Sequence, residues 1–151
     1  MKKFIFRLDG VLKCREQVEK QKQILLGEVR GRLANQEKAV SLANTTVAEA
    51  REELRREESV GEIDVVQARQ HRWHIGALRK RVSELTRCLR TLEIELSRRR
   101  DEAVRAQRDR KVLEMLRARR RALYLRKTER SEQNELDDVA AKNQAIRRTG
   151  S

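Results

Sequence analysis

The stretch LRKRVSELTRCLRTLEIEL, residues 78–96, decides the fold of this chain. Its apolar residues recur at alternating steps of four and three, at Leu78, Val82, Leu85, Leu89, Leu92 and Leu96. This spacing is the heptad pattern of a helix that packs along one seam against another helix. A helix over residues 78–96 therefore requires a helical partner.

The upstream half of the chain can supply that partner. Apolar positions follow helical spacing from Phe4 to Leu54, and the last of them form a second heptad run at Val40, Ala43, Val47, Ala50 and Leu54. Arg15 and Lys22 interrupt this first seam at positions where apolar residues are expected. Steps of four and four through residues 25–33 predict a shift in the heptad phase there.

Composition supports helix over almost the whole length. The 151 residues include no proline, six glycines and 3% aromatic residues, while 40% are charged. Without proline the strongest helix breaker is missing, and with so few aromatic residues a thick globular core is hard to fill. This composition indicates coiled-coil helices rather than a compact enzyme.

A break between the two periodic runs falls near residues 57–62, which contain Gly61 and a candidate helix cap, Ser59. We therefore predict an all-α fold, a long two-helix antiparallel coiled-coil hairpin over residues 1–126. Helix one is expected at about 3–57, the loop at about 58–62 and helix two at about 63–126. Residues 127–151 are polar and weakly periodic, and are expected to form a frayed helix or a disordered tail.

The net charge of +13 is concentrated in one stretch. Residues 98–130 carry 14 basic and five acidic groups, a net charge of +9. Such a field attracts acidic proteins, nucleic acid or anionic membranes. Because Tyr124 is the sole aromatic residue within this stretch, and no zinc-finger or helix-turn-helix pattern is present, we rank an acidic protein surface ahead of nucleic acid. A solvated helix face is the plain alternative.

Catalytic and metal-binding patterns are missing from the sequence. His71 and His74 share a helix face but have no further ligands nearby, so a solvated pair is favoured over a metal site. No phosphate-binding loop or nucleophile elbow is present, and we expect no enzymatic activity and no cofactor. Cys14 and Cys88 are too few for a disulfide scaffold. The apolar runs are too short for a transmembrane segment.

Trp73, the single tryptophan, allows two interpretations. It is either a bulky seam residue near the loop or an exposed anchor for another protein, since tryptophan is over-represented at binding hot spots. Ile75 is expected on a different face from Leu78 and Val82, which favours an apolar surface patch.

Both ends of the chain resemble one family. The start reads Phe4-Ile5-Phe6-Arg7-Leu8-Asp9, then Val11-Leu12 and Arg15-Glu16. The far end carries Leu113-Glu114-Met115-Leu116, an arginine run, Tyr124, Glu129, Gln133 and Glu135-Leu136-Asp137. These patterns are similar to those of the bacterial flagellar export protein FliJ, and length, charge and two-helix layout agree over essentially the whole chain.

The resemblance implies a part of the flagellar type III protein export apparatus, similar in shape to the two-helix coiled coil of the ATP synthase central stalk. The implied partners are the hexameric export ATPase, the membrane export gate protein and export chaperones. The implied location is the cytoplasm, peripheral to the inner membrane at the flagellar basal body.

The resemblance also implies two partner-binding sites. The ATPase-docking end would combine Phe4, Phe6, Leu8, Leu12 and Arg15 with Leu113, Leu116, Arg117, Arg120 and Tyr124. The export-gate patch would use Trp73, Ala77 and Leu78. Two alternatives stay open, the related stalk protein of an injectisome secretion system and a basic coiled-coil nucleic-acid-binding protein.

Overall fold

A computed structural model describes residues 4–59, 61 and 64–149 of the chain. Two α-helices account for nearly all of them, α1 over Asp9–Ser59 and α2 over Val65–Thr149. The two helices pack against each other, and the described residues include no strand. The predicted all-α helical hairpin is confirmed.

The chain divides into two compact units. One unit, residues 20–104, contains the turn and the helix segments on either side of it. The other combines residues up to Glu19 with residues from Arg105 onward. Each unit holds a stretch of α1 against a stretch of α2.

The helices run antiparallel within each unit, as the ion pairs between them show. In the turn unit, Glu57 pairs with His71 near the turn, and Arg32 pairs with Glu95 farther from it. In the terminal unit, Asp9 lies 3.5 Å from Arg117, and Arg15 lies 3.2 Å from Asp109. Within each unit, the residue number of the α2 partner therefore decreases as the residue number on α1 increases.

Burial follows one unbroken heptad on each helix. On α1 the seam passes through Leu12, Glu19, Lys22, Leu26 and Val29, of which Leu12 is only 2% exposed. Since these positions are separated by steps of seven, three, four and three, they keep one heptad phase, and the phase shift predicted at residues 25–33 is wrong. The heptad is continuous, but charged side chains occupy some of its positions.

The turn between the helices uses a cap that the sequence reading missed. Ser59 is the last residue of α1, and its hydroxyl donates to the Arg56 carbonyl oxygen. Asp64 caps α2 instead, because its Oδ1 accepts from the Val66 amide at 2.9 Å. Gly61 has a φ of 87°, a backbone region that L side chains rarely adopt. Residues 60, 62 and 63 of the predicted loop and helix start lie outside the described residues.

Helix boundaries differ from the expected ones at both ends. α1 begins at Asp9 rather than near residue 3, after a turn in which the Asp9 amide donates to the Phe6 carbonyl at 3.1 Å. An acidic residue in the first turn suits the positive end of the helix dipole. α2 continues to Thr149, past the boundary set near residue 126. Fraying of residues 127–151 in solution stays a prediction.

Candidate partner-docking surfaces

The residues that precede α1 lie against the distal part of α2 in the terminal unit. The rings of Phe4 and Tyr124 are 5.6 Å apart at a tilt of 48°. The Arg120 guanidinium carbon lies 5.9 Å from the centre of the Phe6 ring. Tilted aromatic pairs and cations over rings are both favourable arrangements. Two aromatic contacts thus hold the N-terminal segment on α2.

The predicted ATPase-docking residues all belong to this unit, but they differ in burial. Phe6 and Leu12 are buried, so they hold the helices together and are not open to a partner. Three arginines are exposed, Arg15, Arg117 and Arg120. The other five are partly exposed: Phe4, Leu8, Leu113, Leu116 and Tyr124.

A surface groove beside Phe4 was not predicted from the sequence. It is lined by Phe4, Glu114, Arg117, Ala118, Arg121, Ala122 and Leu125. Leu125 is 49% exposed, and the short side chains of Ala118 and Ala122 form the shallow floor of the groove. The signal that could have found it is a second set of apolar positions on α2, at residues 115, 118, 122 and 125, which also follows heptad spacing. We call this set the outer stripe.

Charged residues occupy seam positions in the terminal unit and are paired across it. Glu19 is buried, and it accepts a hydrogen bond from Arg110, which also donates to Glu114. The Glu19 carboxylate raises the pKa of Arg110 further above its already high ordinary value, since the hydrogen bond favours the charged guanidinium. This site is a structural ion cluster, with each charge next to an opposite one.

A similar cluster lies in the turn unit. Lys22 Nζ donates to Glu102 Oε2 at 2.9 Å, and Arg99 donates to the same oxygen at 3.2 Å. The hydrogen bond from Lys22 is the main cause that lowers the pKa of Glu102, with Arg99 acting in the same direction. Arg15 and Lys22, which interrupt the apolar pattern, are thus accommodated by acidic partners on α2.

The predicted export-gate residues lie on different sides of α2. Trp73 is 78% exposed and Ala77 is exposed, whereas Leu78 sits in the seam and lines a groove with Leu42 and Leu85. The seam interpretation of Trp73 is wrong, and its exposure agrees with the anchor interpretation. Ile75 is buried at 8% and continues the heptad into Leu78, so its predicted place in an exposed patch is wrong.

Ion pairs near the turn support the helix segment that carries Trp73. His71 Nε2 lies 3.2 Å from Glu57 Oε2, and Arg72 donates to Glu58 Oε1 at 3.0 Å. Each pair joins the end of α1 to the start of α2. His71 is therefore engaged with a carboxylate, and the described residues contain no cluster of three or more metal-ligating side chains.

The comparisons with known proteins give one match. The family described as "Flagellar FliJ protein" matches residues 3–150. The chain belongs to the FliJ family. No curated protein and no solved structure matches it.

Membership in the FliJ family supports a role in flagellar protein export as a non-catalytic part of the apparatus. Among the described residues, no helix is long and apolar enough to cross a membrane. The described surface of this FliJ-family chain includes an aromatic and arginine-rich region in the terminal unit and the exposed Trp73. Both are of the kind that contact other proteins.

Proposed function

We propose that the chain is a non-enzymatic stalk and coupling factor of the flagellar type III export apparatus. In this proposal the terminal unit docks in the hexameric export ATPase, and the helix surface around Trp73 contacts the membrane export gate protein. Escort of export chaperones is a further part of the same role. Family membership over residues 3–150 is the observation that carries the proposal.

The terminal unit has the chemistry of a docking end. Phe4 is partly exposed and lines a groove with the exposed Arg117, and the exposed Arg120 lies over the ring of Phe6. An aromatic ring beside arginines can fill an apolar pocket while the guanidinium groups bind acidic groups around it. The wider basic stretch of residues 98–130 would steer this end toward an acidic surface.

The docking proposal is tested by ATP hydrolysis of the same organism's flagellar ATPase, with and without the chain. Stimulation that saturates near one chain per hexamer is the expected result. Replacing Arg117 and Arg120 with alanine should remove most of the stimulation. The matched control replaces Arg119 and Arg126, two other exposed arginines of α2.

Stimulation that survives the replacement of Arg117 and Arg120 would refute this docking end. The control is matched because the same charge is removed in both double variants. No stimulation by the unaltered chain, with a verified hexamer, would shift the role to chaperone handling or nucleic-acid binding. A DNA titration then separates those two, since binding to phosphates weakens steeply with salt.

The gate proposal depends on the exposed indole of Trp73. A partner that covers this ring should shift its fluorescence to shorter wavelength, and Trp73 is the chain's one source of tryptophan emission. A Trp73→Ala variant should lose affinity for the gate protein's cytoplasmic part, measured by calorimetry. Ile94, which is 72% exposed on the same helix, supplies the control variant Ile94→Ala.

Equal affinity of the Trp73→Ala and Ile94→Ala variants would contradict the gate proposal.

The injectisome alternative requires the same structural features but a different client. It is tested by repeating both titrations with injectisome components, and the flagellar assignment requires the flagellar ones to bind more tightly.

A further inference from the structure

The distal part of α2 carries an apolar face that no described part of the chain covers. Phe4, the first described residue, packs on Tyr124, and the described side chains of residues 129–144 are all exposed. Leu136 is 64% exposed and Val139 is 56% exposed. Both continue the heptad spacing of the outer stripe, which therefore extends from Met115 to Val139.

Charge changes sign along this face. Residues 111–127 carry seven basic groups and one acidic group, a net charge of +6. Residues 128–144 carry five acidic groups and two basic groups, a net charge of −3. The same change holds at the positions on and beside the stripe, where the two halves have net charges of +2 and −2. The charged residues there are Glu114, Arg119, Arg121 and Arg126 in the first half and Glu129, Glu132, Glu135 and Lys142 in the second.

We propose that the outer stripe pairs with the outer stripe of a second copy of the chain, antiparallel about a two-fold axis near residue 127. An isologous interface of this kind places the basic half of each copy on the acidic half of the other. A parallel arrangement would place basic residues on basic residues, so the charge pattern selects the antiparallel one.

Heptad geometry gives the register of this pairing. Met115 would oppose Val139 of the second copy, and Ala118 would oppose Leu136, so a large residue meets a small one in the groove beside Phe4. The overlap spans about 25 residues, or about 37 Å at 1.5 Å per residue, beyond the ~12–15 residues at which isolated helices are marginal.

Flanking positions supply ion pairs in the same register. Arg121 would face Glu135 of the second copy, and Glu114 would face Lys142. Arg126 lies near the axis and would approach Arg126 of the second copy. Glu129 of the second copy would offset the repulsion between these two arginines. Because these pairs are exposed and Glu129 and Glu132 occupy stripe positions, the association is weak and strengthens at low salt.

A charge exchange at one pair tests the proposal with the full-length chain. Sedimentation equilibrium in reducing buffer, over a hundredfold range of concentration, should show a monomer–dimer equilibrium. Reducing conditions exclude disulfide dimers through the exposed thiols of Cys14 and Cys88. Arg121→Glu or Glu135→Arg should each raise the dissociation constant by about tenfold, since each places two like-charge pairs in the dimer.

Mixing the two variants should restore the dimer, because both contacts of the mixed dimer then join opposite charges. The two substituted residues face each other in one contact, and the unchanged Arg121 and Glu135 face each other in the second. Arg79→Glu, an exposed charge reversal elsewhere on α2, is the control and should leave the association unchanged. A monomer at every concentration would overturn the proposal and assign the outer stripe to a different protein. A dimer that is indifferent to both variants, or not restored by mixing, would overturn it as well.

Discussion

Lys22 Nζ donates a hydrogen bond of 2.9 Å to Glu102 Oε2, and the two side chains join α1 to α2 at a seam position where a lysine breaks the apolar pattern. Because this contact favours the ionised carboxylate, the pKa of Glu102 lies below its ordinary value of 4.5. The pair therefore contributes to stability only while Glu102 is charged.

Glu102→Gln should lower the midpoint of thermal unfolding at neutral pH. A carboxyl group whose pKa is lower in the folded state contributes stability above its unfolded pKa, and this contribution is lost as pH falls through the folded pKa. The melting points of variant and parent should therefore converge below about pH 4.5. Circular dichroism melts across pH measure this, and an equal difference at all pH values would contradict the assignment.

Replacing both members of the Glu19–Arg110 pair with apolar residues should preserve stability, whereas replacing only Glu19 should lower it. Glu19→Ala leaves a seam guanidinium without its cross-helix partner and should lower the melting point. Glu19→Leu together with Arg110→Leu should recover the parent value or exceed it, since two leucines fill a coiled-coil seam well. A double variant less stable than Glu19→Ala would contradict this account.

Gly61→Ala should destabilise the hairpin by about 1 kcal/mol, because the positive φ of 87° costs an L residue about that much. Urea unfolding at constant slope measures the loss. Gly31→Ala is the matched control. It lies within α1 with open space at the added methyl group, and it should stabilise the chain by about 0.5–1 kcal/mol.

Adjacent residues before α1 should respond in opposite ways to truncation. Phe6 is 6% exposed and Ile5 is 79% exposed. Phe6→Ala should cost about 3 kcal/mol, and Ile5→Ala should change the free energy of unfolding by no more than about 0.5 kcal/mol. Urea titration of both variants decides the matter, and similar losses for the two would show that this segment does not pack as described.

Sequence reading was most successful where one helix carries its own signal. The leucine heptad of residues 78–96 correctly predicted a long helix that needs a partner, and the proline-free composition correctly predicted helix over nearly all of the described residues. It failed where the deciding group lies on the other helix. Arg15 and Lys22 look like breaks in the apolar pattern because Asp109 and Glu102, which compensate them, are 94 and 80 residues away in sequence.

Local chemistry also misled at the turn and at the docking surfaces. Ser59 and Asp64 are both good cap residues, and propensity alone does not choose between them. The sequence predicts Ile75 on the wrong face. Its neighbours around Trp73 are polar, so the heptad step from Ile75 to Leu78 is not evident from the sequence. The groove beside Phe4 depends on how the N-terminal segment folds back on α2, which periodicity within one helix does not encode.

The charges inside the seam of the terminal unit also determine which alignment of α1 on α2 is possible. A slide of one heptad that carried Glu19 to Arg117 would leave Arg110 without its cross-helix partner and set Asp9 next to the ring of Tyr124. Buried polar residues in coiled coils fix register in this way, at some cost in stability. The two helix segments of this unit consequently cannot slide along each other, and a force or torque applied to one segment is transmitted to the other.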